Sequence, residues 1–170
     1  MKTYETERLL LKPTDLEDAE FILQLLNSES FIKYIGDRNV RTIEDAENYI
    51  RNRCFPQFER LGYGSFTVIL KEDSSKMGTC GVYARENTDN APDIGFAFLP
   101  QFEGKGYGYE SASFLKNLVK NDYGIKKLGG ITVEYNHASR KLLEKLGLKF
   151  QKKFFMEGDP EELMYYETEL

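Results

Sequence analysis

The sequence predicts a mixed α/β fold in which helices on both faces cover a mostly antiparallel sheet. Three patterns support this fold class. Several stretches repeat apolar residues at steps of three and four, which is typical of amphipathic helices. From Gly64 onward the repeat changes to two residues, which is typical of strands. Three consecutive strand-like stretches are joined by short turns, which favours an antiparallel meander.

The N-terminal part predicts a strand followed by a helix. Residues 6–12, TERLLLK, form the strand, and Pro13 ends it because proline has no N–H to give to a ladder. Thr14 begins the helix, since residues 14–17 fit a capping box of hydroxyl and carboxylate. The apolar face of this helix comprises Leu16, Ala19, Ile22, Leu23 and Leu26.

A second helix is predicted over residues 43–55. Thr42 caps it, and Pro56 stops or kinks it. Its apolar face comprises Ala46, Ile50 and Cys54. The stretch at 31–41, which precedes this helix, either faces a substrate or is an ordinary connector.

The pattern in the middle of the chain predicts the three-stranded antiparallel meander. Its strands are residues 65–70, 77–85 and 93–99, and its turns are residues 72–76 and 86–92. Pro100 ends the third strand, because it cannot donate to a ladder.

The C-terminal half predicts a helix, a strand, a second helix and a closing hairpin. Gly124 is a C-cap for the first helix. Residues 131–135 form the strand, Asn136 caps the second helix and Gly147 ends it. The hairpin pairs residues 148–156 with residues 163–168.

Composition limits the possible functions. The 170-residue chain suits one domain, residues 1–170, with a core of good size. A net charge of −5 argues against nucleic-acid binding, and no apolar run is long enough to span a membrane. The N-terminus lacks a signal-peptide pattern, so we expect a reducing cytoplasmic setting. With one histidine and the distant Cys54 and Cys80, we expect no metal site.

A glycine-rich loop joins the third meander strand to the following helix. Gly104, Gly106 and Gly108 are spaced two apart. A strand, a glycine loop and a helix start together point bare backbone N–H groups at an anion. Residues 103–109 are therefore expected to hold a phosphate-bearing ligand. The loop matches neither the P-loop nor the dinucleotide fingerprint, and a flexible glycine turn is the alternative.

Three segments together resemble the GNAT acyl-CoA N-acyltransferases, and within them the branch of the ribosomal-protein N-terminal alanine acetyltransferases. The segments are TERLLLKP, DIGFAFLPQFEGKGYGYESA and NHASRKLLEKLGL. The resemblance covers nearly the whole chain in the right order. It implies acetyl-CoA as co-substrate and a GNAT-like sheet that splays apart between the fourth and fifth strands.

The resemblance also implies a set of coenzyme-binding residues. Pantetheine pairs with the backbone near Phe98 and Leu99, and the side-chain amide of Asn136 reaches it. The pyrophosphate lies on the N–H groups of Gly104, Lys105, Gly106, Tyr107, Gly108 and Tyr109. Lys105 either adds charge to this site or stays solvated. Glu103 stands where the family pattern has Arg or Gln, so we expect its side chain to point away.

Acyl transfer to an amine needs a base, because a protonated amine has no lone pair. Asp93 is the first candidate, since the similar branch has a carboxylate there, and a turn-capping aspartate is the alternative. Glu134 is the second candidate, although a solvated strand residue is the preferred interpretation. His137 has a suitable pKa range but is expected to be exposed and incidental.

The departing thiolate needs a proton or a hydrogen bond. Many family members supply it from a tyrosine, but Leu143 occupies that position here. The resemblance implies Ser139 as the partner, whether or not it also helps to cap the helix. We therefore expect transfer of an acetyl group from acetyl-CoA to a primary amine, a protein N-terminus or a small amine, in a ternary complex. The competing hypotheses are a non-catalytic acyl-CoA-binding module and a scaffold without a ligand, and a homodimer is compatible with either function.

Overall fold

The computed structural model describes residues 1–85 and 91–170. Its strands form one sheet in the order β1-β2-β3-β4-β5-β6-β8-β7. The strands are β1 (Tyr4–Glu5), β2 (Leu9–Pro13), β3 (Ser65–Leu70), β4 (Lys76–Tyr83), β5 (Asp93–Phe98), β6 (Lys127–Val133), β7 (Lys149–Phe155) and β8 (Glu162–Glu169).

Helices cover both faces of the sheet. The α-helices of the described ranges are α1 (Ala19–Leu26), α2 (Glu29–Tyr34), α3 (Ile43–Tyr49), α4 (Phe55–Leu61), α5 (Tyr107–Tyr123) and α6 (His137–Lys145). One buried cluster includes side chains of α5 and α6, and a second includes those of α1, α2 and α3. Ile94 of β5 belongs to the first cluster and Leu99 to the second, as the alternation of a strand requires. No helix within the described residues is both long enough and apolar enough to cross a membrane.

The sheet is antiparallel except at one place. β5 and β6 run parallel, and in the described part of the chain their ladder contains a single pair, Asp93 with Gly129. A second link is the hydrogen bond of 2.8 Å from the Gly129 N–H to the Pro92 carbonyl. Beyond this vertex the two strands separate, and β6 continues into an antiparallel unit with β8 and β7. The predicted fold class and its splay are confirmed. The fourth and fifth strands of the prediction are β5 and β6, because Tyr4–Glu5 adds a first strand.

The start of the chain corrects two details of the prediction. The strand is Leu9–Pro13 rather than residues 6–12, and Pro13 pairs with Phe66 as its last residue. The capping box belongs to Asp15 and Asp18, one residue later than predicted. Thr14 is buried instead, and its hydroxyl lies 3.1 Å from that of Thr67. A buried hydroxyl needs a partner, and β3 provides one here.

Of the two predicted effects of Pro56, a stop or a kink, the structure contradicts the stop. A π-helical turn, Ile50–Cys54, follows α3 and leads directly into α4, which continues to Leu61. Pro56 lies in the first turn of α4, where its missing N–H is least costly. Gly62 then ends the helix with a φ of 80°.

The C-terminal half follows the predicted order of elements, but its first strand is Lys127–Val133 rather than residues 131–135. Gly124 caps α5 with a φ of 64°, and the last hairpin is formed by β7 and β8. The stretch at 31–41, predicted either to face a substrate or to be an ordinary connector, begins within the helix α2, and neither role is tested by this. Most of the turn predicted at 86–92 lies outside the described residues.

Candidate active site

The open edge of β5 forms one wall of the splayed gap. The N–H of Leu99 donates to the carbonyl of Met77 in β4 at 2.8 Å, and the Leu99 carbonyl accepts from Phe102 at 3.0 Å. Because hydrogen-bonding directions alternate along a strand, Phe96 and Phe98 direct their backbone groups away from β4. The edge that faces β6 therefore offers the backbone of Phe98, as predicted, and also that of Phe96. This geometry does not favour Leu99, whose backbone groups already have partners.

The glycine loop at the C-terminal end of β5 exposes a run of amides. Gly104 and Gly106 have φ values of 72° and 83°, in the left-handed region that favours glycine. Within the described residues, no protein group accepts a hydrogen bond from the backbone N–H groups of residues 104–109. These amides include the first N–H groups of α5, where the helix dipole favours negative charge. The arrangement suits an anion such as a diphosphate.

The loop residues have different parts in this arrangement. A side chain at Gly104 would enter open space, since a Cβ there has no neighbour within 4 Å. A Cβ at Gly108 would lie 3.1 Å from Leu142 of α6, so this glycine permits close packing of α5 on α6. Lys105 is exposed, as its solvated interpretation predicts. Glu103 is also exposed, but its N–H donates to the Pro100 carbonyl at 3.2 Å, so the bare run begins at Gly104 rather than at residue 103.

Tyr107 and Tyr109 are half-buried, and the ring of each contacts a positively charged side chain from a distant part of the chain. The guanidinium of Arg8 lies 4.5 Å from the ring centroid of Tyr107. The ammonium of Lys145 in α6 lies 4.1 Å from that of Tyr109. These contacts fix the first turn of α5, whose backbone N–H groups are part of the bare run.

Arg8 and Glu110 make contacts that were not predicted from the sequence. Glu110, in the first turn of α5, accepts hydrogen bonds from the Arg8 Nε at 2.7 Å and the Thr6 hydroxyl at 2.6 Å. Burial raises the pKa of Glu110, but the bonds from Thr6 and Arg8 outweigh it and leave the pKa lowered. Arg8 also donates to the carbonyl of Lys105 at 3.0 Å. About a hundred residues separate these partners in the chain, and no local pattern in the sequence relates them.

Asn136 and Ser139 lie at the C-terminal end of β6. Asn136 caps α6 as predicted, since its Oδ1 accepts from the Ser139 N–H at 3.2 Å. The cap leaves the side-chain NH₂ of Asn136 available as a donor. No described residue forms a hydrogen bond with the Ser139 hydroxyl. Leu143, at the position of the family tyrosine, is buried in the core.

The structure brings together most of the predicted site. Because β5 and β6 are parallel, their C-terminal ends lie at the same end of the sheet, so the glycine loop and the Asn136–Ser139 turn flank one gap. The packing of Leu142 next to Gly108 connects the two walls. Asp93 is at the other end of β5, roughly 17 Å from Phe98 at 3.3 Å per residue.

Asp93 is buried at the vertex of the gap and forms a bidentate pair with Arg85. Its Oδ2 accepts from Arg85 at 2.9 Å, and its Oδ1 accepts from the Arg85 Nε. Burial raises the pKa of Asp93, even though Arg85 acts in the opposite direction. A carboxyl group with a raised pKa suits a general base near neutral pH, but this one already has a cationic partner.

The alternative bases are both exposed to solvent. Glu134 is exposed and pairs with Lys153 at 3.0 Å, which agrees with its interpretation as a solvated residue. His137 is exposed in the first turn of α6, as expected.

Comparisons with known proteins agree with this geometry. The family model described as an acetyltransferase (GNAT) domain matches residues 8–149. The uncharacterized N-acetyltransferase YoaA of Bacillus subtilis is 27% identical, over 95% of this chain and 87% of that protein. A GNAT-family acetyltransferase structure from Bacillus anthracis has a TM-score of 0.81 at 22% identity and covers 99% of this chain and 98% of its own. The ribosomal L7/L12 α-N-protein acetyltransferase RimL, solved with coenzyme A, has a TM-score of 0.84 at 16% identity, with 99% and 98% covered.

Proposed function

The chain belongs to the GNAT acetyltransferase family and is an N-acyltransferase, and we propose that it transfers acetyl from acetyl-CoA to a primary amine by direct attack in a ternary complex. The observation that carries this proposal is the run of amides at residues 104–109, which have no acceptor within residues 1–85 and 91–170, at the open end of the splayed strands. A diphosphate seated on these amides would direct the attached pantetheine arm into the gap between β5 and β6.

The chain also supplies groups for the pantetheine arm of the coenzyme. The backbone of Phe96 and Phe98 is open to the gap and can pair with the amides of pantetheine. The Asn136 side-chain NH₂ can donate to the same arm. Holding thioester and amine together removes much of the entropic barrier, so no covalent intermediate on the protein is needed.

Two residues are assigned to proton transfer. Asp93 takes the proton of the amine through water, which leaves the nitrogen lone pair free to attack the thioester carbonyl carbon. The C–S bond then breaks as the nitrogen gives up its second proton. The Ser139 hydroxyl either donates a hydrogen bond to the departing thiolate, which takes that proton, or passes its own proton to the thiolate and takes up the proton that the nitrogen loses. The support for Asp93 is its raised pKa and its place on β5, and the support for Ser139 is its hydroxyl at the open end of the gap.

The proposed acceptor is a protein N-terminus or a small amine. An α-amino group has a pKa near 8, so a modest base suffices to deprotonate it at neutral pH. The fold shared with RimL, named as an α-N-protein acetyltransferase, supports a protein N-terminus. The net charge of −5 agrees with a cationic acceptor.

The experiment is release of free thiol from acetyl-CoA in the presence of a panel of amines. The panel contains N-terminal peptides, lysine side-chain analogues, polyamines and amino sugars, and mass spectrometry identifies the acetylated product. We expect amine-dependent thiol release that the Gly104→Val variant lacks. Binding of acetyl-CoA without release for every amine class would instead favour a binding module.

A further inference from the structure

Arg8 holds the glycine loop from the turn between β1 and β2. Its guanidinium makes three contacts, with the Glu110 carboxylate at 2.7 Å, the Lys105 carbonyl at 3.0 Å and the ring of Tyr107 at 4.5 Å. A Cβ at Gly106 would lie 3.3 Å from the Arg8 Nη2, so the guanidinium covers one side of that residue. Glu110 secures the same turn through the Arg8 backbone N–H at 2.8 Å. We call the Arg8–Glu110 pair and its bond to Lys105 the loop clasp.

The clasp determines the direction of one amide. The Lys105 carbonyl and the Gly106 N–H belong to the same trans peptide unit, and in a planar trans peptide they point in opposite directions. By holding the carbonyl on its own side, Arg8 turns the Gly106 N–H to the other side. Gly106 has a φ of 83°, so the unclasped chain could readily rotate this peptide.

We infer that Arg8 is a positioning residue that aims the Gly106 amide at the diphosphate of the coenzyme, with Glu110 holding Arg8 in place. This inference rests on the proposed function, because it takes coenzyme A as the ligand of the loop. Arg8 acts through the backbone rather than as a charge that pairs with the diphosphate. Two of its donor groups already have protein acceptors, and the Glu110 carboxylate offsets its charge.

The test compares coenzyme A with pantetheine, which has the same arm but no diphosphate. Dissociation constants for both are measured by ligand-observed NMR for the wild type and for Arg8→Ala. We expect the substitution to weaken coenzyme A binding about tenfold, as for loss of a hydrogen bond to a charged group, and to leave pantetheine binding unchanged. A loss of general structure would weaken both ligands alike, and circular dichroism of each variant checks the fold.

Two further variants separate aiming from charge. Arg8→Lys keeps the charge but lacks the planar fork that reaches Glu110 and Lys105 together, so we expect it to bind coenzyme A as weakly as Arg8→Ala. Glu110→Ala removes a negative charge near the diphosphate, which by electrostatics alone would tighten binding. Because it also opens the clasp, we expect weaker binding instead.

The matched control is Arg51→Ala. Arg51 is 47% exposed and pairs with Glu47 at 3.2 Å, much as Arg8 is 42% exposed and pairs with Glu110. Arg51 lies in the turn Ile50–Cys54, whose buried side chains belong to a different cluster from those of α5. It should change neither dissociation constant. Full retention of coenzyme A affinity in Arg8→Lys, or tighter binding in Glu110→Ala, overturns the inference and leaves the proposed function intact. A wild type that does not bind coenzyme A overturns both.

Discussion

The two ends of β5 differ in whether protein groups satisfy their polar atoms. At the start of the strand, Asp93 pairs with Gly129 across the vertex and binds Arg85 through both carboxylate oxygens. Past the end of the strand, the amides of residues 104–109 have no acceptor among the described residues. The groups at the start of β5 connect the two halves of the sheet. The described amides past its end are available to bind a ligand.

This difference shows how the fold keeps a binding site available. Backbone amides in a loop usually form hydrogen bonds with nearby carbonyls or with water. Here the positive φ values of Gly104 and Gly106, together with the bond from Arg8 to the Lys105 carbonyl, hold the loop in a shape that leaves its amides without protein acceptors. The vertex supplies the fixed point from which the strands separate.

The largest effect is expected from a substitution at the open end, Gly104→Val. A branched side chain enters the space in front of the amides and disfavours a φ of 72°, so the loop loses its shape. With two or more hydrogen bonds to a charged group lost, coenzyme A affinity should fall by about 4 kcal/mol, roughly a thousandfold. Isothermal titration calorimetry measures this change.

The control for this substitution is Gly124→Val at the opposite end of α5. Gly124 has a φ of 64°, and a Cβ there, as at Gly104, has no neighbour within 4 Å. Both substitutions carry a similar backbone strain, but only Gly104 borders the bare amides. Equal losses of affinity in the two variants would mean that strain, and not the loop, accounts for the effect.

Asp93→Asn tests whether the vertex only holds the sheet. As the proposed base, Asp93 must be ionised, so activity of the wild type should rise with pH through the raised pKa of this group. Asparagine removes that limb of the pH profile, and kcat at neutral pH should fall about a hundredfold, the usual size of a general-base contribution. Coenzyme A affinity should change less than about twofold, since the diphosphate site is at the other end of β5.

Steady-state kinetics across pH, alongside calorimetry, gives both quantities for this variant. An unchanged kcat would assign Asp93 to the ion pair with Arg85 alone. The start of β5 would then have a purely structural role, and only the other end of the strand would take part in function.

Ser139→Ala should have a smaller effect, on turnover and not on binding. The variant keeps the backbone N–H that Asn136 accepts, so the cap of α6 survives. Loss of the donor to the thiolate should lower kcat about tenfold, as for the loss of one hydrogen bond worth about 1.4 kcal/mol. His137→Ala, an exposed change in the same turn, should have no effect. Equal losses in kcat and in coenzyme A affinity would make Ser139 a binding residue only.

The smallest effect concerns the pH dependence of stability. Because the pKa of Asp93 is higher in the folded chain than its ordinary value, the folded state binds this proton more readily than the unfolded state. The contribution of Asp93 to stability is therefore fully present at low pH and is lost as pH rises through the raised pKa. Asp93→Asn removes this pH-dependent contribution. As pH falls, the free energy of unfolding of the wild type should therefore rise relative to that of the variant, by less than about 1.4 kcal/mol per pH unit.

Urea denaturation of both proteins from neutral to acidic pH gives this difference. A wild type that loses more stability on acidification than the variant would mean that the pKa of Asp93 is lowered, and that Arg85 outweighs burial.

Much of the fold could be predicted, because local rules determine it. The alternation at Ser65–Leu70 and the glycine cap at Gly124 each depend on a few neighbouring residues. The stop predicted at Pro56 does not occur, since a π-helical turn upstream brings the proline into a first helical turn, and nothing local signals that turn. The capping box was shifted by one residue because burial of Thr14 beside β3 competes with a capping role.

In the candidate site too, features set by neighbouring residues could be predicted, and features set by distant contacts could not. The glycine spacing and the Asn136 cap are local, so the sequence located the loop and the turn that flank the gap. The direction of backbone groups at Leu99 depends on its pairing with Met77, and the clasp depends on residues that meet only after folding. Such contacts depend on the register of the sheet, which the sequence alone left open.

The central claim is that the amides of residues 104–109 bind the diphosphate of coenzyme A, and amide NMR tests it most directly. A titration of the ¹⁵N-labelled protein with coenzyme A should shift the amide resonances of Gly104, Gly106 and Gly108 strongly, and pantetheine should not. The resonance of Gly124 serves as the internal reference. Saturable binding of coenzyme A that leaves the three loop glycines unshifted would contradict the account.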